Sequence, residues 1–261
     1  MLTFHATGDW DRSQVAVSQT ADTRRRIPEI EAMIDRAWTV AHARPGVHLF
    51  DGPMCRFESW IATPDHLSIA LSTTSYKSFV GTNLSHPELA ERYDRTVLAN
   101  PVGVSPALIT SDGWIMMGRR NASVAYYPDR VHPFAGALEP RDAADLFSSV
   151  QRELTEELHF TPADVVSIHC TGIAEDRSIR QPELIFRVDT HRTREQVEAT
   201  LDRTEHHATW AISATMEAVD QTLANFDELT PVAVASMLLW GKTRWGAEWF
   251  NARILPLAAS R

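Results

Sequence analysis

Apolar residues return at helical spacing at Ile27, Ile30, Met33, Ile34, Ala37, Trp38 and Ala41, which predicts a helix with Pro28 accommodated in its first turn. Val15-Ala16-Val17, just before it, reads as a short strand. After the turn signal Asp51-Gly52-Pro53, the runs CRFESWIA and HLSIALS flank Thr63-Pro64-Asp65 and predict a hairpin. TSYKSFVGTN, from Thr74 to Asn83, mixes aromatics, donors and a glycine and reads as an irregular segment. Pro101, Gly103 and Pro106 then punctuate a connection, which puts a subdomain boundary near residue 100. Beyond it, VSPALIT and GWIMMGRR are joined by Ser111-Asp112-Gly113, a second hairpin signal. The strand-like runs DVVSIHCTGIA and ELIFRVD follow, with a short helix from about Thr193 and a strand from Thr209 to Ser213. A helix within Met216 to Leu223 and a final apolar helix from Val232 to about Trp249 complete the pattern. The expectation is an N-terminal α/β extension over residues 1–100, then an α/β (α+β) unit over 101–261 with a mixed sheet and flanking helices.

Between the second hairpin and the later strands lies DAADLFSSVQRELTEELHF, from Asp142 to Phe160, predicted as one helix. At 100° per residue, Ala143, Leu146, Phe147, Val150, Leu154 and Leu158 form one apolar stripe. Glu157 points into that stripe, Glu153 sits at its edge, and Glu156 lies further round toward Arg152. A carboxylate on the buried side of a helix is costly unless it is paired, protonated or bound to a cation. Three acids together suggest a divalent metal site formed by Glu153, Glu156 and Glu157. Hard Mg²⁺ or Mn²⁺ prefers carboxylate oxygen and shares its shell with phosphate, so a phosphorylated substrate is expected. The competing reading is a solvated face with an Arg152–Glu156 pair at i,i+4.

Composition narrows the partners. The chain has 261 residues, 44% hydrophobic and 23% charged, enough for one large domain or two smaller ones with a sizeable core. A net charge of −9 argues against a nucleic-acid surface and would by itself repel a phosphate ester, so a cation or local arginines must neutralise both sides. No apolar run approaches the length of a membrane span, and MLTFHATGDWDRSQ has no basic region followed by an apolar core, so the expectation is a soluble cytoplasmic protein with no membrane partner. Cys55 and Cys170, the only cysteines, are read as buried thiols. Nothing in the sequence indicates an oligomeric state.

Arg152-Glu153-Leu154-Thr155-Glu156-Glu157 resembles the R-E-hydrophobic-x-E-E core of the Nudix hydrolases. The edges depart from that family's pattern: its first glycine, helix-entry glutamate and closing glycine fall here on Leu138, Ala144 and His159. Gly136 stands two residues too early, and Asp145 lies one residue from the expected acid. A wider resemblance links DLFSSVQRELTEE, TSYKSFVGTN, SDGWIMMGRR and CTGIAEDRS to the Nudix branch that hydrolyses UDP-glucose and UDP-galactose, a branch with an N-terminal extension of this kind. The resemblance implies a Nudix fold and a Mg²⁺-dependent nucleotide-sugar pyrophosphatase releasing UMP and hexose 1-phosphate, with Mn²⁺ as a possible substitute. It carries over Glu153, Glu156 and Glu157 as metal ligands and Arg152 as part of the catalytic motif. Another Nudix activity, such as ADP-ribose hydrolysis, and a nucleotide-binding module without turnover are the alternatives.

The substrate contacts follow from the flanking segments. Tyr76 or Phe79 is a candidate to stack on uracil, Lys77 to neutralise phosphate, and Thr82 and Asn83 to bond base or ribose; the alternative is a packed loop with core aromatics and a turn at Gly81. Arg119 and Arg120, ending a strand, divide between phosphate contact and plain surface. Glu153, Glu175, Glu183 and Glu205 are candidate bases, the last three each reading individually as surface acids. Gly241-Lys242-Thr243 imitates a phosphate-binding loop, but Ser236 stands where its first glycine belongs and the segment reads as helix. Ser105 precedes proline and lacks the second glycine of a nucleophile elbow. Glu205-His206-His207 has no matching ligand pair at a zinc spacing, so these histidines read as surface or satisfied core. Trp240, Trp245 and Trp249 read as core or interface.

Overall fold

A computed structural model describes residues 1–43 and 49–259. The chain opens with β1 (Leu2–Trp10) and β2 (Val15–Gln19), then α1 (Pro28–His42), β3 (Pro53–Thr63) and β4 (His66–Ser75). Short helices α2 (Tyr76–Phe79) and α3 (Leu89–Tyr93) precede β5 (Gly103–Ile109) and β6 (Trp114–Arg120). Two-residue strands β7 (Val131–His132) and β8 (Gly136–Ala137) lead to α4 (Leu146–Leu158). Strands β9 (Val165–Asp176) and β10 (Gln181–Thr190), helix α5 (Arg194–Glu198), β11 (His206–Ser213), α6 (Met216–Ala224) and α7 (Pro231–Ala259) complete it.

The larger sheet has the order β1-β9-β10-β5-β6-β11, with β8 added against β5 and β7 against β6. It is mixed, as expected: β10 and β5 run parallel and the other pairs antiparallel. Its alternating side chains feed two cores. Val104, Leu108, Met116, Leu184, Phe186 and Val188 face Leu146, Phe147, Val150, Leu154 and Leu158 of α4, together with Leu67, Ile69 and Leu71 of the small sheet. Ala107, Ile115, Met117 and Ile185 face α6 and α7. The fold is therefore α/β, a mixed sheet between helices.

The second sheet, β2-β4-β3, contains the expected hairpin, with Thr63 opposite His66. The boundary expected near residue 100 falls on the connection into β5, yet Leu2–Trp10, on its N-terminal side, is an edge strand of the larger sheet paired with β9. Two elements depart from the sequence reading. Thr74–Asn83 is not irregular after Ser75: Tyr76–Phe79 is a helical turn capped by the Ser75 hydroxyl, continued by a π-helical turn over Val80–Leu84. The last helix runs on past Trp249 and is broken at Gly246, whose φ of 89° no helical residue adopts. The break lets Trp249 fold back against Gly241, where a methyl group would overlap the indole, and the rings of Trp240, Trp245 and Trp249 meet at 4.9 and 4.8 Å between successive centroids. Gly241-Lys242-Thr243 is helical, as read. Both cysteines are buried free thiols, and burial pushes each up to about 12. Among the described residues no helix is long and apolar enough to cross a membrane.

Candidate active site

Helix α4 begins later than its periodicity suggested. Asp145 is its N-cap, its carboxylate accepting from the backbone N–H groups of Phe147 (3.1 Å) and Ser148 (3.3 Å), so Asp142, Ala143 and Ala144 lie outside the helix. At the other end His159 takes the left-handed conformation at φ 52°, the geometry that ends helices and favours glycine. Between the caps, Glu153 and Glu157 stand one turn apart on one face, each only 7% exposed, while Glu156 faces out.

Arg152 divides the three acids. Its guanidinium lies 2.8 Å from Glu153 Oε1 and 3.0 Å from Glu156 Oε2, and it also reaches Asp142 at 3.1 Å. Glu153 is pressed against the backbone of β8: a methyl group on Gly136 would overlap its carboxylate. The glycine that looked displaced in sequence thus provides the close approach to this acid. One turn on, His206 of β11 brings Nδ1 to 3.0 Å from Glu157 Oε2. The two atoms are not aligned as a hydrogen bond, and neither Glu157 oxygen has a hydrogen-bond partner. His206 is itself enclosed, its ring against Gly118 and edge-on to Phe134.

Burial governs the protonation of this group. It raises Glu153 to about 8, against the pull of Arg152 and with the repulsion of Glu157. It raises Glu157 well above the usual carboxylate range, with Glu205 the next contribution. Burial and Arg120 together depress His206 to about 4, which leaves the imidazole neutral. Among the described residues no group of three or more His, Cys, Asp or Glu side chains converges in a metal-holding arrangement. The donor set nevertheless suits a hard cation: Glu157 is a buried carboxylate with both oxygens unpartnered, Glu153 lies one turn away, and Mg²⁺ is commonly held by one or two carboxylates with substrate phosphate completing the shell.

A cleft of about 150 Å³ adjoins these acids, with Gly136 in its wall. Tyr76, Phe79, Tyr126, Arg120, Glu183 and Glu205 contribute side chains to it. Arg120, 7% exposed, stacks its guanidinium 5.0 Å from the Tyr126 ring centroid, and Phe79 meets Tyr126 edge-on at 6.1 Å. Glu183 accepts from the Ser105 hydroxyl at 3.0 Å and from Gln181 at 2.8 Å, and burial raises it to about 8.

The sequence candidates separate accordingly. Tyr76 and Arg120 reach the cleft. Lys77 pairs with Asp35 at 2.6 Å, and Arg119 with Glu228 at 2.6 Å. Thr82 and Asn83 are fully buried and bond the chain itself: Thr82 Oγ1 accepts from the Ala99 N–H, Asn83 Oδ1 from the Asn100 N–H, and Asn83 Nδ2 donates to the carbonyls of Ile179 and Arg180. The surface-acid reading fails for Glu183 and for Glu175, which is 2% exposed and held by His5 and Arg95 away from the cleft; Glu205 is exposed yet lines the cleft. His206, read as ordinary, and Tyr126 were missed. An acid within the apolar run of Glu183-Leu184-Ile185-Phe186 was a signal for Glu183; His206 offered none, because its neighbour Glu157 lies far away in sequence.

No protein-family model matches the chain. The human protein named uridine diphosphate glucose pyrophosphatase NUDT22 is 29% identical over 276 aligned positions, covering 90% of this chain and 90% of its own length. Its bovine counterpart of the same name is 28% identical over 258 positions, covering 85% and 88%. Both likenesses run over most of this chain and most of the relatives' own length. A solved MutT protein from Methanosarcina mazei Go1 superposes with a TM-score of 0.39 and 15% identity, covering 56% of this chain and 95% of its own. The helix that carries Arg152, Glu153, Glu156 and Glu157 is thus flanked by Gly136 of β8 and closed by His159 in a backbone conformation that favours glycine.

Proposed function

We propose that this protein is a divalent-metal-dependent hydrolase that cleaves the pyrophosphate of UDP-sugars such as UDP-glucose and UDP-galactose to UMP and hexose 1-phosphate. The observation that carries the reading is the pair of buried carboxylates, Glu153 and Glu157, on one face of the motif helix beside a cleft containing Arg120. The substrate class is supported by the likeness to proteins named uridine diphosphate glucose pyrophosphatase across nine-tenths of the chain.

Glu157, with Glu153 and Glu156, would hold Mg²⁺ or Mn²⁺. When bound, such a cation offsets phosphate charge and lowers the pKa of a water. Arg120 faces the cleft as a fixed cation for a phosphate oxygen, and Arg152 holds Glu153 and Glu156 in place. Tyr76, Phe79 and Tyr126 give the cleft aromatic walls that suit a flat base. Glu205, exposed at the cleft, is the carboxylate available to take a proton, whereas buried Glu183 already carries one. Lys77, Thr82, Asn83 and Arg119 would act at most through the segments they anchor.

Incubation of the protein with UDP-glucose, UDP-galactose or ADP-ribose and Mg²⁺ tests this. UMP and hexose 1-phosphate are expected from the UDP-sugars; cleavage of ADP-ribose with UDP-sugars untouched would overturn the substrate, and nucleotide binding without release of hexose 1-phosphate would overturn the enzyme. Glu157→Gln should lower kcat/KM by roughly 100-fold or more at saturating Mg²⁺.

A further inference from the structure

His132 of β7 stands in the wall of the cleft, 4% exposed. It pairs with Gly118 of β6, and Arg120, two residues beyond Gly118, falls on the same face of that ladder and lines the cleft as well. Among the described residues the Arg120 guanidinium forms no ion pair, and its Nε is buried without a partner. A buried cation without a counter-ion is costly, and one that borders a cleft is offset when an anion enters.

The hydrogen bonds around His132 fix which ring nitrogen carries the proton. Thr230, fully buried, stands just before α7, and its Oγ1 accepts from the Ala233 N–H at 3.2 Å. The hydroxyl keeps one proton to give, and His132 Nδ1, at 2.9 Å, is the acceptor it meets among the described residues. With Nδ1 accepting, the proton of the neutral ring sits on Nε2. Burial and the nearby Arg120 hold this histidine well below its ordinary value, so the ring stays neutral. Nε2 has no hydrogen bond among the described residues, and unlike both ring nitrogens of His206 it is not closed off from solvent. Since Nδ1 is held by Thr230, the Nε2 side of the ring is left to the cleft.

We infer that His132 is a substrate-binding residue whose Nε2–H donates to an oxygen of the substrate's diphosphate beside the Arg120 guanidinium. The two groups supply different things. Arg120 neutralises charge, while His132 adds a directed donor without placing a second cation against the first. Thr230 is a positioning residue that acts through the ring: the residue that caps α7 also sets the tautomer. The inference rests on the cleft taking a nucleoside diphosphate, as the proposed hydrolase does, but not on turnover.

Ring-nitrogen NMR spectra of the histidine-labelled full chain test it, with His132 assigned by the signal lost in His132→Gln. Nε2 should be the protonated nitrogen in the free protein, and UDP with Mg²⁺ should move its resonance whereas uridine should not. In calorimetric titration, His132→Phe should bind UDP roughly tenfold or more weakly than the unaltered chain, and His132→Gln, whose amide still offers N–H groups, should lose less. A proton found on Nδ1, an Nε2 resonance unmoved by saturating UDP or moved equally by uridine, unchanged UDP affinity in His132→Phe, or no UDP binding would each overturn it. UDP binding that depends on His132, without release of hexose 1-phosphate from UDP-glucose, would instead overturn the hydrolase and leave this contact standing.

Discussion

Glu183 carries the clearest consequence at the scale of a single residue. Its carboxyl is buried in the sheet between Ser105 and Gln181, and burial holds its pKa at about 8 against an ordinary value of 4.5. The native protein therefore keeps this proton where the unfolded chain has released it, so stability falls as pH rises from about 4.5 through about 8. Glu183→Gln should flatten that part of a denaturation-versus-pH curve, by up to roughly 4–5 kcal/mol from the width of the gap. An unchanged slope would contradict it. The same residue marks what periodicity can and cannot reveal. Glu157 was legible because its position in an apolar stripe follows from counting along one helix. His206 was not, since its contact with Glu157 joins a strand to a helix 49 positions earlier. Thr82 and Asn83 add a further point: a buried polar side chain can serve its own backbone as readily as a ligand, and theirs bond the chain.

Among the elements, α4 was legible in its stripe and acids but not in its ends. Asp145 caps the helix three residues inside the expected start. His159 closes it in a conformation that costs a side-chain-bearing residue about 1 kcal/mol, while Arg192 holds only its carbonyl at 3.2 Å. His159→Gly should therefore stabilise the protein by roughly 0.5–1 kcal/mol in denaturant unfolding. A loss of stability would mean that the imidazole contributes more than the backbone strain removes. Tyr76–Leu84 escaped the sequence reading because a four-residue turn followed by a π turn is too short for a helical period to emerge. Gly81 is required there for closeness rather than for turning, since a methyl group would overlap Ile34 of α1.

At the scale of the whole molecule, both hairpins and the order of strands and helices were legible, because each leaves a local pattern. The pairing of Leu2–Trp10 with β9 was not, since no local pattern names a partner more than 150 residues away. That strand lies against β9 along one side of the larger sheet, buries Trp10, whose indole N–H donates to the Thr63 carbonyl, and sets His5 against Glu175. Deleting residues 1–10 should move the open edge to the longer β9 and uncover the apolar cores that Phe4, Ala6 and Trp10 close, giving a chain that self-associates, detectable as higher-mass species in light scattering; a monodisperse, equally stable product would refute this. The same pairing also imposes an order in time. A ribosome releases Leu2–Trp10 long before Val165–Asp176, so during synthesis the strand must wait without its partner while β2, β3 and β4 can already assemble. Its seating beside β9 is thus a late event in the birth of the molecule, and a chain stalled before residue 165 would display this segment unpaired to the cell's chaperones.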